Sequence, residues 1–299
     1  MEKTKITFFG TSDAIPTKLR NHSAILLSFS NENILFDCGE GTQRQFKIAG
    51  ISPTKLTRIF ISHWHGDHIL GLPGLFETLA MSNYSKTLKI YGPKGTKHFL
   101  SIIQNLITGY HINLEIHEVE SGIILDEKDF QIEATPLAHG LPTLGYAFII
   151  KDKIRLKKDK LKKLKLPNSP LLKQLQQGKD IIIDNKKIKA KEVSYKEKGK
   201  KITIILDTSL NPNCIALAKN SDILITEASF SVKETKYAKE YKHLTSKDAA
   251  TIAKKSKSKK LLLTHISQRY EHRLILIQKE ARKIFKNAFV VKDFDEFIL

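Results

Sequence analysis

Residues 63–68 (HWHGDH) place four potential metal ligands within six positions. The ligands are His63, His65, Asp67 and His68. Imidazole nitrogen and carboxylate oxygen suit Zn²⁺ and similar divalent ions, and the cluster offers no thiolate. Residues 58–62 (RIFIS) read as a short strand, so the cluster is predicted to lie on the loop that follows it. In a loop, the first two histidines can face one ion while the aspartate and the last histidine face another, which a single helix or strand face does not allow.

Four further side chains of the same chemistry stand at the ends of predicted strands. They are His139, Asp207, His243 and His265. A single histidine in such a position is more often structural than functional. Because strand ends converge at one edge of a sheet even when they are remote in sequence, the recurrence of this pattern predicts that these side chains complete a metal site around residues 63–68.

The elements that must position these side chains alternate between strands and helices. Predicted strands cover residues 6–9, 24–29, 33–37, 57–61, 88–91, 114–119, 130–136, 144–150, 181–183, 201–206, 222–225 and 260–263. Predicted helices cover residues 42–49, 75–81, 96–107, 214–219, 246–255 and 272–285. Thr245 and Asp248 have the spacing of a capping box at the start of the fifth of these helices. The alternation predicts an α/β fold.

Length and composition favour one large domain with an insertion, in a chain of 299 residues. A hydrophobic fraction of 41% and a charged fraction of 27% are ordinary for a globular protein, and no apolar run approaches the roughly 20 residues of a membrane span. The N-terminal residues lead into the first predicted strand without an apolar signal region. With only two cysteines, Cys38 and Cys214, the sequence predicts a cytoplasmic protein without a membrane partner.

The formal charge of +19 predicts a polyanionic partner such as nucleic acid. Residues 151–201 contain 19 lysines and arginines against 6 acidic residues, so the excess is concentrated there. A general lysine bias in codon usage would instead raise the charge everywhere. Residues 157–166 (KKDKLKKLKL) have few apolar positions, and residues 167–170 (PNSP) stop a helix, so residues 151–180 are interpreted as a flexible, protruding basic arm.

Several sequence segments together resemble the tRNase Z family, the tRNA 3′-processing endoribonucleases of the metallo-β-lactamase superfamily. Residues 37–42 (DCGEGT) and 63–68 are similar to the superfamily marks. The narrower family marks are residues 16–21 (PTKLRN), 227–230 (EASF), 243–245 (HLT) and 264–270 (THISQRY). The resemblance spans nearly the whole chain and implies a four-layer αβ/βα sandwich whose metal site lies at the sheet edges.

The resemblance also implies the role of each site residue. His63, His65 and His139 would hold the first zinc ion of the subunit, Asp67, His68 and His265 would hold the second, and Asp207 would bridge them. Two ions roughly 3.5–4 Å apart can activate water and stabilise both oxygens of a phosphodiester displacement. Asp67 would also accept the proton of the water. His243, oriented by Glu227, would protonate the leaving ribose oxygen, and the product would carry a 3′-hydroxyl.

Substrate contacts are likewise implied by the resemblance. The loop residues Lys18, Arg20 and Asn21 would meet the 3′ end of precursor tRNA, and the arm would act as an exosite for the tRNA body. The arm residues expected to contact tRNA are Lys157, Lys158, Lys162 and Lys163. The family resemblance further implies a homodimer in which the arm of one subunit grips tRNA for the site of the other. Leu206 and Thr226 depart from the family pattern, and Ser169 stands where glycine is common, but none of these changes removes a ligand.

Two other functions are compatible with parts of the sequence. A phosphodiesterase for small phosphodiesters could use the same metal site and would need no lysine-rich arm. A non-catalytic RNA-binding protein could retain the fold, but then loss of a ligand, of Glu227 or of His243 would be expected, and none is lost. The sequence therefore predicts a two-zinc endoribonuclease that removes the 3′ trailer of precursor tRNA.

Overall fold

Strands and helices alternate along the chain, as the hydrophobic pattern predicts. The structure is a computed structural model that describes residues 4–106, 112–164, 166, 169–183 and 186–299. The first half of the strands is β1 (Thr4–Gly10), β2 (Ala24–Phe29), β3 (Glu32–Phe36), β4 (Arg58–Phe60), β5 (Leu88–Gly92), β6 (Leu114–Glu118), β7 (Gly122–Asp126), β8 (Phe130–Leu137) and β9 (Thr143–Ile150). The second half is β10 (Lys153–Leu156), β11 (Ile181–Ile183), β12 (Lys186–Ile188), β13 (Ser194–Glu197), β14 (Lys201–Ile205), β15 (Ile223–Glu227), β16 (Leu261–Thr264), β17 (Ala288–Val290) and β18 (Glu296–Ile298).

The α-helices of the described residues are mostly short. They are α1 (Thr42–Ile48), α2 (Gly66–Ile69), α3 (Leu72–Met81), α4 (Thr96–Leu106), α5 (Lys158–Lys163), α6 (Pro170–Gln176), α7 (Ala190–Val193), α8 (Pro212–Leu217), α9 (Thr235–Glu240), α10 (Ser246–Lys255) and α11 (Leu274–Arg282). Ile107, the predicted end of α4, lies outside the described residues, as do Lys165, Pro167 and Asn168 of the predicted arm. No helix among the described residues is long and apolar enough to cross a bilayer.

The described chain divides into two compact units. The larger unit comprises Met1–Asp126, Ile132–Phe148 and Lys201–Leu299, and the smaller comprises Glu127–Gln131 and Ile149–Lys200. Two seven-stranded sheets have the orders β18-β1-β2-β3-β4-β5-β6 and β17-β16-β15-β14-β9-β8-β7. Strands β3 to β6 run parallel, and so do β14 to β17.

Alternate side chains of each strand reach two different layers, because successive strand residues point to opposite faces of a sheet. On β3, Leu35 packs in the apolar cluster that contains Phe46 of α1 and Leu75 of α3. Its neighbour Phe36 instead contacts Tyr146 of the other sheet, with ring centroids 6.0 Å apart. The two sheets therefore face each other with helices outside them, which is the predicted four-layer αβ/βα arrangement.

Parallel strands bring several candidate site residues to one edge of each sheet. The carboxyl ends of β3 and β4 lead into Asp37 and into residues 61–68, and those of β14, β15 and β16 lead to Asp207, Glu227 and His265. Because these strands run in the same direction within their sheets, their ends meet at the same edge. The fold thus assembles residues that are up to 228 positions apart in the sequence, from Asp37 to His265.

The smaller unit has an apolar cluster of its own. Strand β10 pairs with β13 and β11 pairs with β12, both antiparallel. The buried residues of the cluster are Leu175, Ile181, Ile188, Ala190 and Val193. The unit therefore extends beyond the predicted arm of residues 151–180, because the strand partners and much of the apolar cluster come from residues 181–197.

Candidate metal centre

Four side chains form the first group of convergent metal-ligand atoms. His63, His65, His139 and Asp207 offer ligand atoms that all lie within 4.8 Å of one another. His65 Nδ1 lies 3.0 Å from His63 Nε2 and 3.2 Å from His139 Nε2. Asp207 Oδ2 lies 3.5 Å from His63 Nε2 and 3.7 Å from His139 Nε2.

A second group lies on the other side of the Asp207 carboxylate. Asp67 Oδ2 is 3.3 Å from His68 Nε2 and 3.2 Å from His265 Nε2. Asp207 Oδ1 is 3.5 Å from His68 Nε2 and 3.2 Å from His265 Nε2. One oxygen of Asp207 therefore faces each group, so the structure brings together all seven ligands implied by the sequence in the predicted two sets.

The donor geometry fits metal ions better than it fits hydrogen bonds alone. Asp207 is buried, and its Oδ1 has no hydrogen-bond partner among the described residues. His68 Nε2 and His265 Nε2 face each other at 3.3 Å, so two ring nitrogens share one space. Histidine and carboxylate ligands around such a space are the donors that zinc and similar ions take in proteins. The cluster is thus a metal-binding site by its donor set.

Acceptors adjoin the second ring nitrogen of His63, His68 and His139. His68 Nδ1 lies 2.6 Å from Asp37 Oδ2, and His139 Nδ1 lies 3.1 Å from the carbonyl oxygen of Lys242. Ser62 Oγ donates to Asp37 Oδ2 at 2.7 Å and lies 3.0 Å from His63 Nδ1. An acceptor at one nitrogen fixes the proton there and leaves the lone pair of the other nitrogen free for an ion. The sequence interpretation assigned no role in the site to Asp37 or Ser62, although Asp37 belongs to a superfamily mark.

Close backbone approach explains the glycines of this region. Cys38 N donates to His68 O at 2.7 Å, and Gly71 N donates to Cys38 O at 2.9 Å. A Cβ atom on Gly71 would lie only 2.0 Å from the carbonyl oxygen of Gly39. The backbone contacts lock the segment after β3 against α2, which is one helical turn where the sequence predicted only loop. This contact sets the position of Asp67 and His68.

A carboxylate–imidazole pair borders both metal-ligand groups. Glu227, which is fully buried at the end of β15, places Oε1 3.0 Å from His243 Nδ1 and 2.8 Å from the donating amide of Thr208. Burial lowers the pKa of His243, but the carboxylates of Glu227 and Asp207 outweigh it and raise that pKa to about 10. The imidazole therefore carries a proton at neutral pH. This geometry agrees with the predicted pairing of Glu227 and His243.

Ser229 connects this pair to a candidate metal ligand. Its hydroxyl donates to Glu227 Oε2 at 2.7 Å and lies 2.9 Å from His265 Nδ1. With His265 Nε2 facing the metal groups, Nδ1 is the protonated nitrogen and donates to Ser229. One hydrogen-bonded chain thus runs from His265 through Ser229 and Glu227 to His243. Ser229 belongs to the family mark of residues 227–230 (EASF), but the sequence alone did not predict a role for it.

The pKa of Asp67, the aspartate of the second group, is strongly lowered. Burial raises the pKa of the Asp67 carboxyl, but His68 and His265 together hold that pKa well below its usual range. Asp67 is therefore ionised throughout the neutral range. An ionised oxygen at this place can bind a cation or accept a hydrogen bond from water.

The loop around Lys18 requires one correction to the predicted substrate contacts. Lys18 is exposed, as expected, but the side chain of Arg20 is only 3% exposed. Its Nη2 donates to the carbonyl oxygens of Thr11 at 2.8 Å and Val291 at 3.2 Å. The expected direct contact of Arg20 with the 3′ end is therefore wrong for this structure, because the guanidinium is directed into the interior and holds the loop. Asn21 is half-buried and donates from Nδ2 to Glu40 O.

The predicted arm lysines lie in the smaller unit, near α5. Lys158, Lys162 and Lys163 are exposed, and Lys157 is half-buried directly before the helix. Exposed ammonium groups on one short helix can meet phosphate groups.

A cavity of about 580 Å³ opens beside both metal-ligand groups. Its metal-side wall includes His65, Asp67, His139, Asp207 and His265, and His243 also lines it. Phe230, Tyr241 and Arg269 also line the cavity. The cavity has room for a substrate group in contact with the candidate ligands.

Comparisons with known proteins agree with this site. The chain is 37% identical to a ribonuclease Z from Methanothermobacter thermautotrophicus, over 97% of this chain and 94% of that protein. It is 39% identical to a ribonuclease Z from Ligilactobacillus salivarius, over 98% of this chain and 96% of that protein. The crystal structure of human tRNase Z, short form, matches with a TM-score of 0.71 and 27% identity, covering 98% of each chain.

Two further comparisons match the fold as a whole and residues 4–194. The metallo-β-lactamase fold protein YhfI from Bacillus subtilis matches with a TM-score of 0.73 at 19% identity over the whole of both chains, which shows the fold alone. The family model of the anti-Pycsar protein Apyc1 matches residues 4–194. Identity near 38% to relatives over almost their full lengths, together with the arrangement of the candidate ligands, shows that the chain belongs to the ribonuclease Z family of the metallo-β-lactamase fold.

Proposed function

We propose that the protein is a zinc-dependent endoribonuclease that removes the 3′ trailer of precursor tRNA and leaves a 3′-hydroxyl on the discriminator nucleotide. The observation that carries this proposal is the position of the Glu227–His243 pair beside a carboxylate, Asp207, that two sets of ligands share. The names of the relatives, ribonuclease Z and tRNase Z, support the substrate class.

Two zinc ions per subunit fit the two ligand groups. His63, His65 and His139 would hold one ion, and Asp67, His68 and His265 would hold the other, with Asp207 between them. When bound, such ions polarise the phosphoryl group and lower the pKa of water. The histidine- and carboxylate-only donor set suits zinc, and the same residues would also accommodate manganese or iron.

The chain supplies the proton transfers. Asp67, which lines the cavity, would accept the proton of the attacking water. His243, protonated and held by Glu227, would donate its proton to the ribose 3′-oxygen as the bond breaks. Such general acid catalysis contributes about 10²–10⁴-fold to a rate. Cleavage in this direction leaves the 3′-hydroxyl on the tRNA body.

Binding of the tRNA body would depend on the smaller unit. Its lysines, including Lys157, Lys158, Lys162 and Lys163, would neutralise phosphates, and the exposed Lys18 would contact the acceptor end. We further propose a homodimer in which the smaller unit of one subunit serves the metal centre of the other. The cytoplasmic location remains a prediction from the sequence.

The first experiment is cleavage of 5′-labelled precursor tRNA with the metal-loaded protein. The expected result is one cut directly after the discriminator base, with a 3′-hydroxyl that can be extended or ligated. Hydrolysis of a small chromogenic phosphodiester is measured in parallel. A protein that hydrolyses the small diester but leaves precursor tRNA intact would instead support the rival phosphodiesterase function, and a protein inactive on both with full metal content would support the non-catalytic RNA-binding function.

The second experiment removes the smaller unit. Ile150 N donates to Lys200 O at 2.8 Å, so the two ends of the segment adjoin and residues 152–199 can be replaced by a short Gly/Ser linker. Removal of residues 152–178 alone would strip β13 of its partner β10. We expect tRNA affinity and its salt dependence to fall while small-diester hydrolysis is retained.

Mixing this deletion variant with His243→Ala tests the arrangement in the dimer. After subunit exchange, a mixed dimer holds one intact metal centre and, on the other subunit, one intact basic unit. Recovery of tRNA cleavage would support action across the dimer. A mixture as inactive as its components, with exchange verified by mass, would contradict it.

A further inference from the structure

An aromatic group with one arginine lies next to the candidate metal centre. Phe230 and Tyr241 have ring centroids 6.4 Å apart and planes only 15° apart. Tyr237 continues the group at 6.4 Å from Tyr241, with planes 16° apart. The guanidinium carbon of Arg269 lies 5.6 Å from the Phe230 centroid and 5.3 Å from that of Tyr237. We call Phe230, Tyr237, Tyr241 and Arg269 the aromatic wall.

Core packing explains only part of this wall. Phe230 is buried, at 6% exposure, but Tyr241 is 52% exposed and Tyr237 is 44% exposed. Arg269 is also exposed, and its Nη1 lies 3.4 Å from Glu234 Oε1. Aromatic side chains that are exposed in this way contribute little to the stability of the fold. A group of them beside a cavity therefore indicates a binding surface.

The wall faces the place where the substrate must lie. Phe230, Tyr241 and Arg269 line the same cavity of about 580 Å³ as Asp67 and His265. The ring centroid of Phe230 lies 6.1 Å from that of His243. A planar group bound here would therefore lie within one nucleotide of the His243 imidazole.

The chemistry of the wall suits a nucleobase. Aromatic rings and guanidinium planes stack on bases, and each stacked base contributes affinity whatever its identity, because every base has a π-face. The side of the cut follows from His243. In the proposed reaction His243 protonates the 3′-oxygen of the nucleoside that precedes the cut, so that nucleoside, and not the trailer, adjoins His243 and Phe230.

We propose that the aromatic wall, with Tyr241 as its exposed face, stacks the base of the nucleotide that directly precedes the scissile phosphate. This inference rests on the proposed function, since it takes the polynucleotide and the direction of cleavage from it. Stacking there holds the unpaired end of the acceptor stem in the cavity independently of its base identity.

The test combines a protein variant with a modified substrate. Single-turnover cleavage and binding are measured for precursor tRNA with an abasic residue directly before the cut, with an abasic residue directly after it, and with neither. The proteins are the metal-loaded parent, Tyr241→Ala and Tyr241→Phe. For the parent we expect the abasic residue before the cut to weaken binding by about 10-fold or more, and the one after it to have a much smaller effect.

Tyr241→Ala should bind intact substrate about 10-fold more weakly and should respond little to the abasic residue before the cut, because the stack is already lost. Tyr241→Phe, which keeps the ring face, should behave as the parent. Metal content and the free energy of unfolding in urea should be the same in all three proteins, which shows that the metal centre and the fold are intact. This agreement also separates a local effect from misfolding.

Two outcomes would overturn the inference alone. In one, the parent cuts normally but Tyr241→Ala shows the same abasic response as the parent. In the other, the parent is weakened more by the abasic residue after the cut, which would place the base of the trailer on the wall. A parent that leaves precursor tRNA intact would overturn the proposed function itself, and this inference with it.

Discussion

Asp37 and His68 are joined by a buried contact, with Oδ2 of the carboxylate 2.6 Å from Nδ1 of the imidazole. Both side chains are completely buried. The same carboxylate accepts from the hydroxyl and the amide of Ser62 at 2.7 Å each, and Asp37 adopts a positive φ of 56° to do so. One carboxylate thus orients His68 directly and His63 through Ser62, which sets one ligand of each metal group.

Asp37→Ala should weaken binding of the ions, because neither His68 nor His63 would keep its ring orientation. Loss of such a supporting contact typically costs about 10–100-fold in metal affinity. Competition with a chromogenic chelator measures this change. Glu40→Ala, an exposed acidic position in the same segment, is the matched control. Equal affinity in both variants would contradict the orienting role of Asp37.

Asp67→Ala should abolish nearly all cleavage, at least about 10²-fold, because it removes a candidate ligand and the proposed proton acceptor together. Filter binding should still detect precursor tRNA, since the proposed phosphate contacts lie elsewhere. Metal content is measured on the same sample. Cleavage at more than a few per cent of the parent rate, with metal saturating, would show that the assignment of Asp67 is wrong.

His243→Ala should slow precursor tRNA cleavage by about 10²–10⁴-fold while both metal equivalents remain bound. A small diester with a p-nitrophenolate leaving group should be affected far less, because that group departs without protonation. The ratio of the two rates therefore reports leaving-group chemistry. Loss of one metal equivalent would identify His243 as a ligand instead, which would require a new role for His265.

Ser229→Ala should interrupt the chain between His265 and Glu227 and leave a buried carboxylate oxygen without its donor. An unsatisfied buried polar group costs about 1–3 kcal/mol. We therefore expect the rate of cleavage to fall by about 10-fold. Ser229→Thr keeps the hydroxyl and should restore activity. Ser231→Ala, a buried serine whose hydroxyl instead accepts from the Lys233 amide, should cleave as the parent does. A Ser229→Thr protein that is folded but as slow as Ser229→Ala would count against the hydrogen-bonding role.

Asp293 should make stability depend on pH. Burial raises the pKa of its carboxyl to about 6, against hydrogen bonds from the Thr11 hydroxyl and the Asn21 amide. The unfolded chain releases this proton near pH 3.8, and the folded chain releases it near 6. The contribution of Asp293 to stability is therefore present below about pH 4 and is lost as the pH rises through 6.

Asp293→Asn, which cannot ionise, isolates this effect. The free energy of unfolding of the variant minus that of the parent should increase by about 1–3 kcal/mol between pH 4 and pH 6, and then stay level. Urea unfolding at several pH values measures it. A difference that is constant over this range would show that the carboxyl has an ordinary pKa in the folded protein.

Much of the local structure follows from sequence pattern. The strand Ala24–Phe29 and the helix Ser246–Lys255 have the predicted bounds, and the helix has the predicted capping box at Thr245. Apolar runs and caps act over a few residues, so the sequence reveals them. The seven candidate ligands were also identified from the sequence, because rare side chains followed strands and fell in family motifs.

Other features depended on contacts between distant residues, and only the tertiary structure decided them. The sequence predicts that Arg20 is an exposed cation, but its guanidinium is buried and donates to the carbonyl oxygens of Thr11 and Val291. Strand β13 belongs to the smaller unit because it pairs with β10, a pairing that the sequence pattern does not reveal. The sequence by itself determined which side chains could bind metal, since residue type sets donor chemistry. The tertiary structure decided which oxygen of Asp207 faces which group, and that Ser229 joins His265 to Glu227, because these relationships are set by strands that meet only when the two sheets pack.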